Sequence, residues 1–467
     1  MYLKTIRWVV LVVAMMLSGR AMECFAAGRP NIVFIMVDDM GYADLGCYGS
    51  KVIATPHIDR MASEGMRFTQ AYSGCTVCAP ARSTLMTGTH MGHTSVRGNT
   101  GGIALLDTDV TIAEVLKRAG YATGGFGKWG LGDIDTQGAA EKQGFDLFYG
   151  YYHQIHAHSY WPRYLIRNGR KQILPGNNGH DGIIYAHELI FRETLRFIEK
   201  NKDRPFFCYA PWTPPHGNYQ IPPDLPEWQF YRDKPWPKRD KVIAAMESWI
   251  DRQVGLLLEH LHRLGLSEKT VVFFCSDNGA SFRMEGTLNS SGPLKGRKRS
   301  LYEGGIRVPM IAYWPGHIPA GSVSDLPCYF PDMMPTFAEL AGAVSDVPRD
   351  VDGLSIVPTL LGEKVAGHRQ KRHDYLYWEW PQYNWGRRQY DSHGLMQAIR
   401  VGNWKLLRHR TDQPWELYDL SKDVGEADDL AADHPVMVTR LAAMIDKAHT
   451  QPREQREPEM PKGRYFR

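Results

Sequence analysis

Short apolar runs recur along the chain at residues 31–37, 121–126, 205–210, 270–275 and 308–313. They show little polar alternation, which is the pattern of strands buried on both faces. Longer amphipathic stretches at 185–200 and 242–264 carry helical spacing. Thr111-Ile112-Ala113-Glu114 has the form of a capping box, and Gly120 suits the end of the helix it would open. Strands alternating with helices predict an α/β fold, a large mixed and mostly parallel sheet sandwiched by helices. The pattern changes after about residue 370. Residues 375–380 are aromatic-rich, 397–407 and 416–420 are strand-like, and 436–448 has a helical pattern. These segments predict a small C-terminal antiparallel sheet plus helix. The expected division is a catalytic domain over 28–372 and a C-terminal subdomain over 373–467, with a polar, frayed tail from Gln451.

The chain has 467 residues, enough for one large domain and a smaller one. Lys4 and Arg7 precede an apolar run from Trp8 to Leu17, and Ala26 and Ala27 suit cleavage. Residues 1–27 therefore read as a signal peptide, the apolar run being short for a bilayer span. Export to the periplasm or the extracellular space is expected, with no stable membrane insertion after cleavage. Cys24 raises a lipoprotein alternative, but Ala21-Met22-Glu23 before it is a poor lipidation match. Cleavage removes Lys4, Arg7, Arg20 and Glu23, which lowers the formal charge from +4 to +2. That is not a nucleic-acid signature. The remaining cysteines are too sparse for a disulfide scaffold and have no zinc spacing. Cys208 and Cys275 lie inside apolar runs and read as buried thiols.

Polar residues follow the apolar runs with a regularity that random surface polarity does not give. Asp38 and Asp39 follow the first, Lys128 the second, His216 the third, and Asp277 and Asn278 the fourth. In open α/β sheets ligands bind beyond the carboxyl ends of the strands. Four oxygen ligands, Asp38, Asp39, Asp277 and Asn278, suit calcium or magnesium. In Cys78-Ala79-Pro80-Ala81-Arg82, Pro80 suits a first helical turn. Cys78 then sits at a helix N-terminus, where an anion is welcome, with Arg82 one turn on. From the residues alone a reactive or structural thiol would serve equally well.

Cys78-Ala79-Pro80-Ala81-Arg82, continuing to Thr87-Gly88, resembles the signature of type I, formylglycine-dependent sulfatases, a family with the alkaline-phosphatase-like fold. Residues 31–39, 123–132, Ser276-Asp277-Asn278-Gly279, 298–305 and 416–420 resemble further family segments, so the likeness runs from about residue 29 to about 445. The resemblance implies hydrolysis of sulfate monoesters through a formylglycine made from Cys78 by a maturation enzyme. It implies one Ca2+ per chain, held by Asp38, Asp39, Asp277 and Asn278 together with residue 78. Arg82 would orient the formylglycine, Lys128 and Lys298 would hold sulfate oxygens, and His216 would protonate the leaving group. Lys295 lies in the same segment as Lys298 but fits its spacing less well.

One position departs from the family pattern: Gly130 stands where a histidine is common. The segment 151–162 is rich in histidine and aromatics, and His158 is the expected replacement base, with His156 and His153 as lesser candidates. The expected substrate is a sulfated glycan or other sulfate ester, attacked in exo fashion, with galactose-type sugars favoured. Trp161, Trp378, Trp385, Tyr383 and Tyr390 are either sugar platforms or core. The competing readings are a phosphoester hydrolase of the same superfamily and a non-catalytic glycan-binding relative.

Overall fold

The computed structural model describes residues 28–100, 103–281, 287–384, 386–387 and 389–452. The expected signal peptide, Cys24, Trp385 and the tail beyond 452 lie outside the described residues. The strands are β1 (Asn31–Asp38), β2 (Met66–Phe68), β3 (Ala71–Tyr72), β4 (Ala122–Lys128), β5 (Leu147–Tyr151), β6 (Tyr164–Arg167), β7 (Arg170–Ile173), β8 (Phe206–Pro215), β9 (Thr270–Ser276), β10 (Met310–Tyr313), β11 (Ser322–Ser324) and β12 (Cys328–Tyr329), then β13 (Leu376–Asn384), β14 (Gln389–Val401), β15 (Trp404–Arg408) and β16 (Glu416–Asp419). The main sheet has the order β11-β2-β10-β9-β1-β8-β4-β5-β6-β7, and β3 pairs with β12 in a separate ribbon.

At the centre, β9, β1, β8, β4 and β5 are mutually parallel. The flanks are mixed: β10 runs antiparallel to β9, and β6 antiparallel to β5. The apolar runs are continuous because both faces of this sheet are covered. Along β1, Ile32, Phe34 and Met36 join the core on one face, while Val33, Ile35 and Val37 join the core on the other. Each such side chain contributes about 1.5–3 kcal/mol when fully buried.

The helices used below are α1 (Cys78–Thr87), α2 (Ile112–Arg118), α3 (Ala186–Lys200), α4 (Lys238–Arg263), α5 (Met333–Leu340) and α6 (Pro435–Ala448). Helices α2 and α5 cover the first face, through residues such as Val115 and Phe337. Helices α3 and α4 cover the second, through Ile190 and Val254 among others. The predicted capping box forms: the Thr111 hydroxyl accepts from Glu114 N at 3.2 Å, and Glu114 accepts from Thr111 N at 2.8 Å. Cys208 and Cys275 are buried free thiols, as expected.

The C-terminal antiparallel sheet, β13-β14-β15-β16, packs one face on α6 and the other on the main body. Trp378 belongs to that second contact: it is fully buried and donates from Nε1 to Ser73 O at 2.8 Å, so it is core and not a sugar platform. Beside it, Lys405 Nζ lies 2.8 Å from Glu303 Oε1 and 2.8 Å from Glu426 Oε1, all out of reach of water. Burial works against ionised Glu303, but Lys405, Arg307 and Arg400 outweigh it and hold the carboxyl down at about 2. Lys405→Met strands two buried carboxylates without this cation. It is expected to cost about 3–5 kcal/mol in urea unfolding, and a loss below about 1 kcal/mol, the scale of an exposed pair, would contradict this role.

Candidate active site

Because the central strands are parallel, their polar exits share one edge. β1 ends at Asp38, and Asp39 then turns the chain at φ 69°, a left-handed conformation that Asp tolerates better than most residues. β9 leads into Asp277 and Asn278, β4 ends in Lys128, and β8 leads into His216. Backbone and side-chain bonds tie the two acidic turns together. Asp277 N donates to Val37 O at 2.9 Å, and Asp39 N donates to Asp277 Oδ1 at 3.1 Å.

Helix α1 is buried throughout and starts at Cys78, so its N-terminus faces this edge. The Cys78 thiol donates to Asp38 Oδ1 at 3.3 Å. Lys298 Nζ lies 3.2 Å from Cys78 Sγ and 2.5 Å from Asp39 Oδ1. Lys128 Nζ donates to Asp38 Oδ2 at 2.5 Å. Arg82, one turn along α1, donates from Nη2 to Asp277 Oδ2 at 2.8 Å and from Nη1 to Lys128 O at 2.5 Å. His216 Nε2 is 3.4 Å from Asp39 Oδ2, and the His158 ring lies 4.6 Å from the His216 ring. Asp38, Asp39, Cys78, Arg82, Lys128, His158, His216, Asp277, Asn278 and Lys298 therefore meet in one cluster.

Other candidates do not reach it. Lys295 donates to Glu426 O at 2.8 Å and covers the Tyr302 ring. His156 packs between Tyr151 and Tyr164. The space above Gly130 is not taken by His158. A Cβ built at 130 would meet Gln154 Cγ at 3.4 Å and Arg82 Cδ at 3.7 Å, ordinary contact distances, so Gln154 is the side chain lying nearest that space. His158 instead stands beside His216. Three polar contacts had no sequence signal: Asn99, Gln154, and Ser281, whose hydroxyl donates to Asp39.

The electrostatics are those of a crowded ionic cluster. Burial raises Asp38, but His216, Lys128, Arg82 and Lys298 reverse this and hold its carboxyl well below the ordinary range. Asp277 goes the other way. Burial and the neighbouring Asp38 push it up to about 7 against the pull of Arg82. Burial, reinforced by Asp38, pushes the Cys78 thiol up to about 12 despite Lys128 and Lys298. His158 falls to about 4, through burial and then Lys128. His216 is driven well below its ordinary range by burial, with Asp38 and Asp39 pulling it back.

Three carboxylates (Asp38, Asp39, Asp277) face three cations (Arg82, Lys128, Lys298), so a divalent ion would make the cluster positive and fit for an anionic ester. The donors fit such an ion. Asp38, Asp39, Cys78 and His216 offer ligand atoms within 4.8 Å of one another. Asn278 Oδ1 is buried with no hydrogen-bond partner, and hard oxygens suit calcium. A second group, His90, His93 and Asp352, is also compact. There Gly92 N donates to His90 Nδ1 at 3.0 Å, so the neutral ring keeps its proton on Nε2 and offers no lone pair there.

Comparison with known proteins gives the family. A family model described as Sulfatase matches residues 30–343, and one described as N-sulphoglucosamine sulphohydrolase, C-terminal, matches 296–454. The chain is 33% identical to arylsulfatase A of Homo sapiens over 458 residues, 86% of this chain and 83% of that protein. It is 36% identical to N-acetylgalactosamine-6-sulfatase of Rattus norvegicus over 370 residues, 73% of this chain and 68% of that protein. The crystal structure of Ps i-CgsB in complex with k-i-k-neocarrahexaose superposes with a TM-score of 0.76 at 28% identity, covering 92% of this chain and 95% of that one. The phosphonate monoester hydrolase of Agrobacterium radiobacter shares the fold, with a TM-score of 0.65 at 20% identity, covering 90% of this chain and 95% of that one.

Proposed function

This chain belongs to the sulfatase family, and we propose that it is an exported, exo-acting sulfatase of sulfated carbohydrate that works with a formylglycine at position 78 and a calcium ion. Its reaction class is sulfuric ester hydrolysis. The observation that carries the fuller reading is that Lys128 and Lys298 flank Cys78 inside a buried cluster with three carboxylates. Cys78 Sγ marks the place of the formylglycine oxygens.

Formylglycine supplies an attacking oxygen from its hydrated aldehyde. Calcium, held by Asp38, Asp39, Asp277, Asn278 and residue 78, supplies positive charge beside the sulfate. The remaining chemistry falls to the chain's own side chains. Lys128 and Lys298 hold sulfate oxygens and offset the charge that grows on them as the ester bond breaks. Arg82 holds Asp277 and the Lys128 carbonyl, which fixes both against residue 78. A sugar alkoxide is a poor leaving group, so proton delivery matters. His216, whose Nε2 lies 3.4 Å from Asp39 Oδ2, is the side chain read as delivering that proton.

The names of two relatives support the substrate class: N-acetylgalactosamine-6-sulfatase, and Ps i-CgsB with neocarrahexaose bound. They favour a galactose-type sugar. Export rests on residues 1–27, and among the described residues no helix is long and apolar enough to cross a membrane. Aryl sulfate, aryl phosphate and a panel of sulfated monosaccharides test the reading. Sulfate esters should be cleaved faster than phosphate esters, with galactose-type sugars leading the panel. Faster phosphate cleavage would overturn it.

His158 is placed to contact the leaving-group side, next to His216, rather than the ground above Gly130. His158→Ala should lower kcat/KM by about 10²-fold with little change in melting temperature. A His158→Ala enzyme of normal activity would remove it from the machinery.

A further inference from the structure

Helix α1 carries the reactive residue, yet its N-cap, Val77, provides no side-chain cap. A helix start leaves main-chain N–H groups without partners, and this one is buried. One of them is satisfied from a distance. Ala79 N donates to Asn99 Oδ1 at 3.1 Å. The same oxygen accepts from Gln154 Nε2 at 2.8 Å. Gln154 in turn lies over Gly130, as the 3.4 Å approach to a built Cβ shows. Its place is fixed by the backbone, since Trp129 N and Gly130 N donate to Tyr151 O and Tyr152 O at 2.8 and 2.9 Å. Three segments distant in sequence thus converge on the amide next to residue 78.

We propose that Asn99 and Gln154 form a carboxamide brace that positions residue 78 for the reaction, Asn99 by capping Ala79 N and Gln154 by holding Asn99. The inference deepens the sulfatase reading and rests on it for its kinetic consequence. The physical reason is directional. Residue 78 must aim at sulfur along one line, and Ala79 N is the main-chain donor immediately after it. A carboxamide oxygen has two lone pairs, so it can accept both bonds at once. Gly130 lies beside the brace at φ 79°, a left-handed conformation that glycine holds without strain.

The brace predicts hierarchy. Asn99→Ala should lower kcat about tenfold, the equivalent of one lost hydrogen bond, with KM within about twofold of the parent. Gln154→Ala should lower kcat by less, because the Ala79 bond survives. The double variant should match Asn99→Ala alone, since Gln154 acts only through Asn99. Asn99→Asp keeps an acceptor for both N–H groups and should recover most of the loss. All rates are scaled to the aldehyde content at position 78, read by mass spectrometry. Independently of activity, amide hydrogen exchange at Ala79 should quicken in Asn99→Ala and, less strongly, in Gln154→Ala.

Raised KM at constant kcat, additive effects in the double variant, or failure of Asn99→Asp to recover kcat would overturn the positioning role. Unchanged exchange at Ala79 would overturn the brace itself. If the parent chain cleaves no sulfate ester, the functional reading fails alone, and the exchange measurement still decides the brace.

Discussion

Cys78→Ala is expected to leave a folded protein with no measurable turnover, a loss on the order of 10^5-fold or more in kcat. The reason is visible in the thiol itself. Burial, reinforced by Asp38, raises it far above neutral, so near neutral pH the thiol keeps its proton and is a poor nucleophile. An unconverted cysteine is therefore as inert here as alanine. Activity across preparations should then track the fraction of chains with an aldehyde at position 78. The fold should tolerate the change, because Asp38 keeps Lys128 and Asp39 keeps Lys298 when the sulfur is gone. A melting temperature near that of the parent, together with absent turnover on an aryl sulfate, is the expected pair of results. Full activity in protein whose residue 78 is an unmodified thiol would falsify the mechanism.

Chelation is expected to have the second-largest effect. Asp38, Asp39 and Asp277 crowd one edge of the sheet, and Asp277 is pushed up to about 7 by burial and Asp38. A divalent ion held there would relieve that crowding, and Asn278 Oδ1, buried without a hydrogen-bond partner, would be free to bind it. Prolonged treatment with a chelator should abolish turnover, and calcium or magnesium should restore it. Stability should follow, because an ion that binds only the folded chain stabilises it by about 2.7 kcal/mol at a hundredfold excess over Kd. The melting temperature should therefore fall with chelation and rise again with the ion. Asp277→Ala should match the chelated state in turnover, and chelator should then have no further effect on activity. Unchanged activity and an unchanged melting temperature after prolonged chelation would reject the site.

Legibility from sequence followed regularity. The central strands β1, β4, β8 and β9 were foreseen within a few residues, whereas β2, β5, β6, β7 and β11 were not. The first group is buried on both faces and must be apolar without interruption. The second consists of strands of three to five residues, too brief to stand out as apolar runs, and β7 is in addition exposed along its whole length. The same contrast separates Lys298 from Lys295. Both stand in one glycine-rich segment, and only packing shows that Lys295 turns to Glu426 and Tyr302 while Lys298 turns inward.

By itself, the sequence determined the parallel core, the edge where its polar residues gather, and which residues meet there: Asp38, Asp39, Lys128, His216, Asp277 and Asn278 all follow apolar runs. It could do so because a parallel strand delivers its next residues to one fixed edge, whatever the loops do. Tertiary structure alone decided that His158 joins His216, that Gln154 lies beside Gly130, that Asn99 accepts from the amide after Cys78, and that Trp378 is core. Those residues lie in segments without a usable period or pack across distant parts of the chain. Their side-chain directions are set by the atoms they meet, and no local pattern records which atoms those will be.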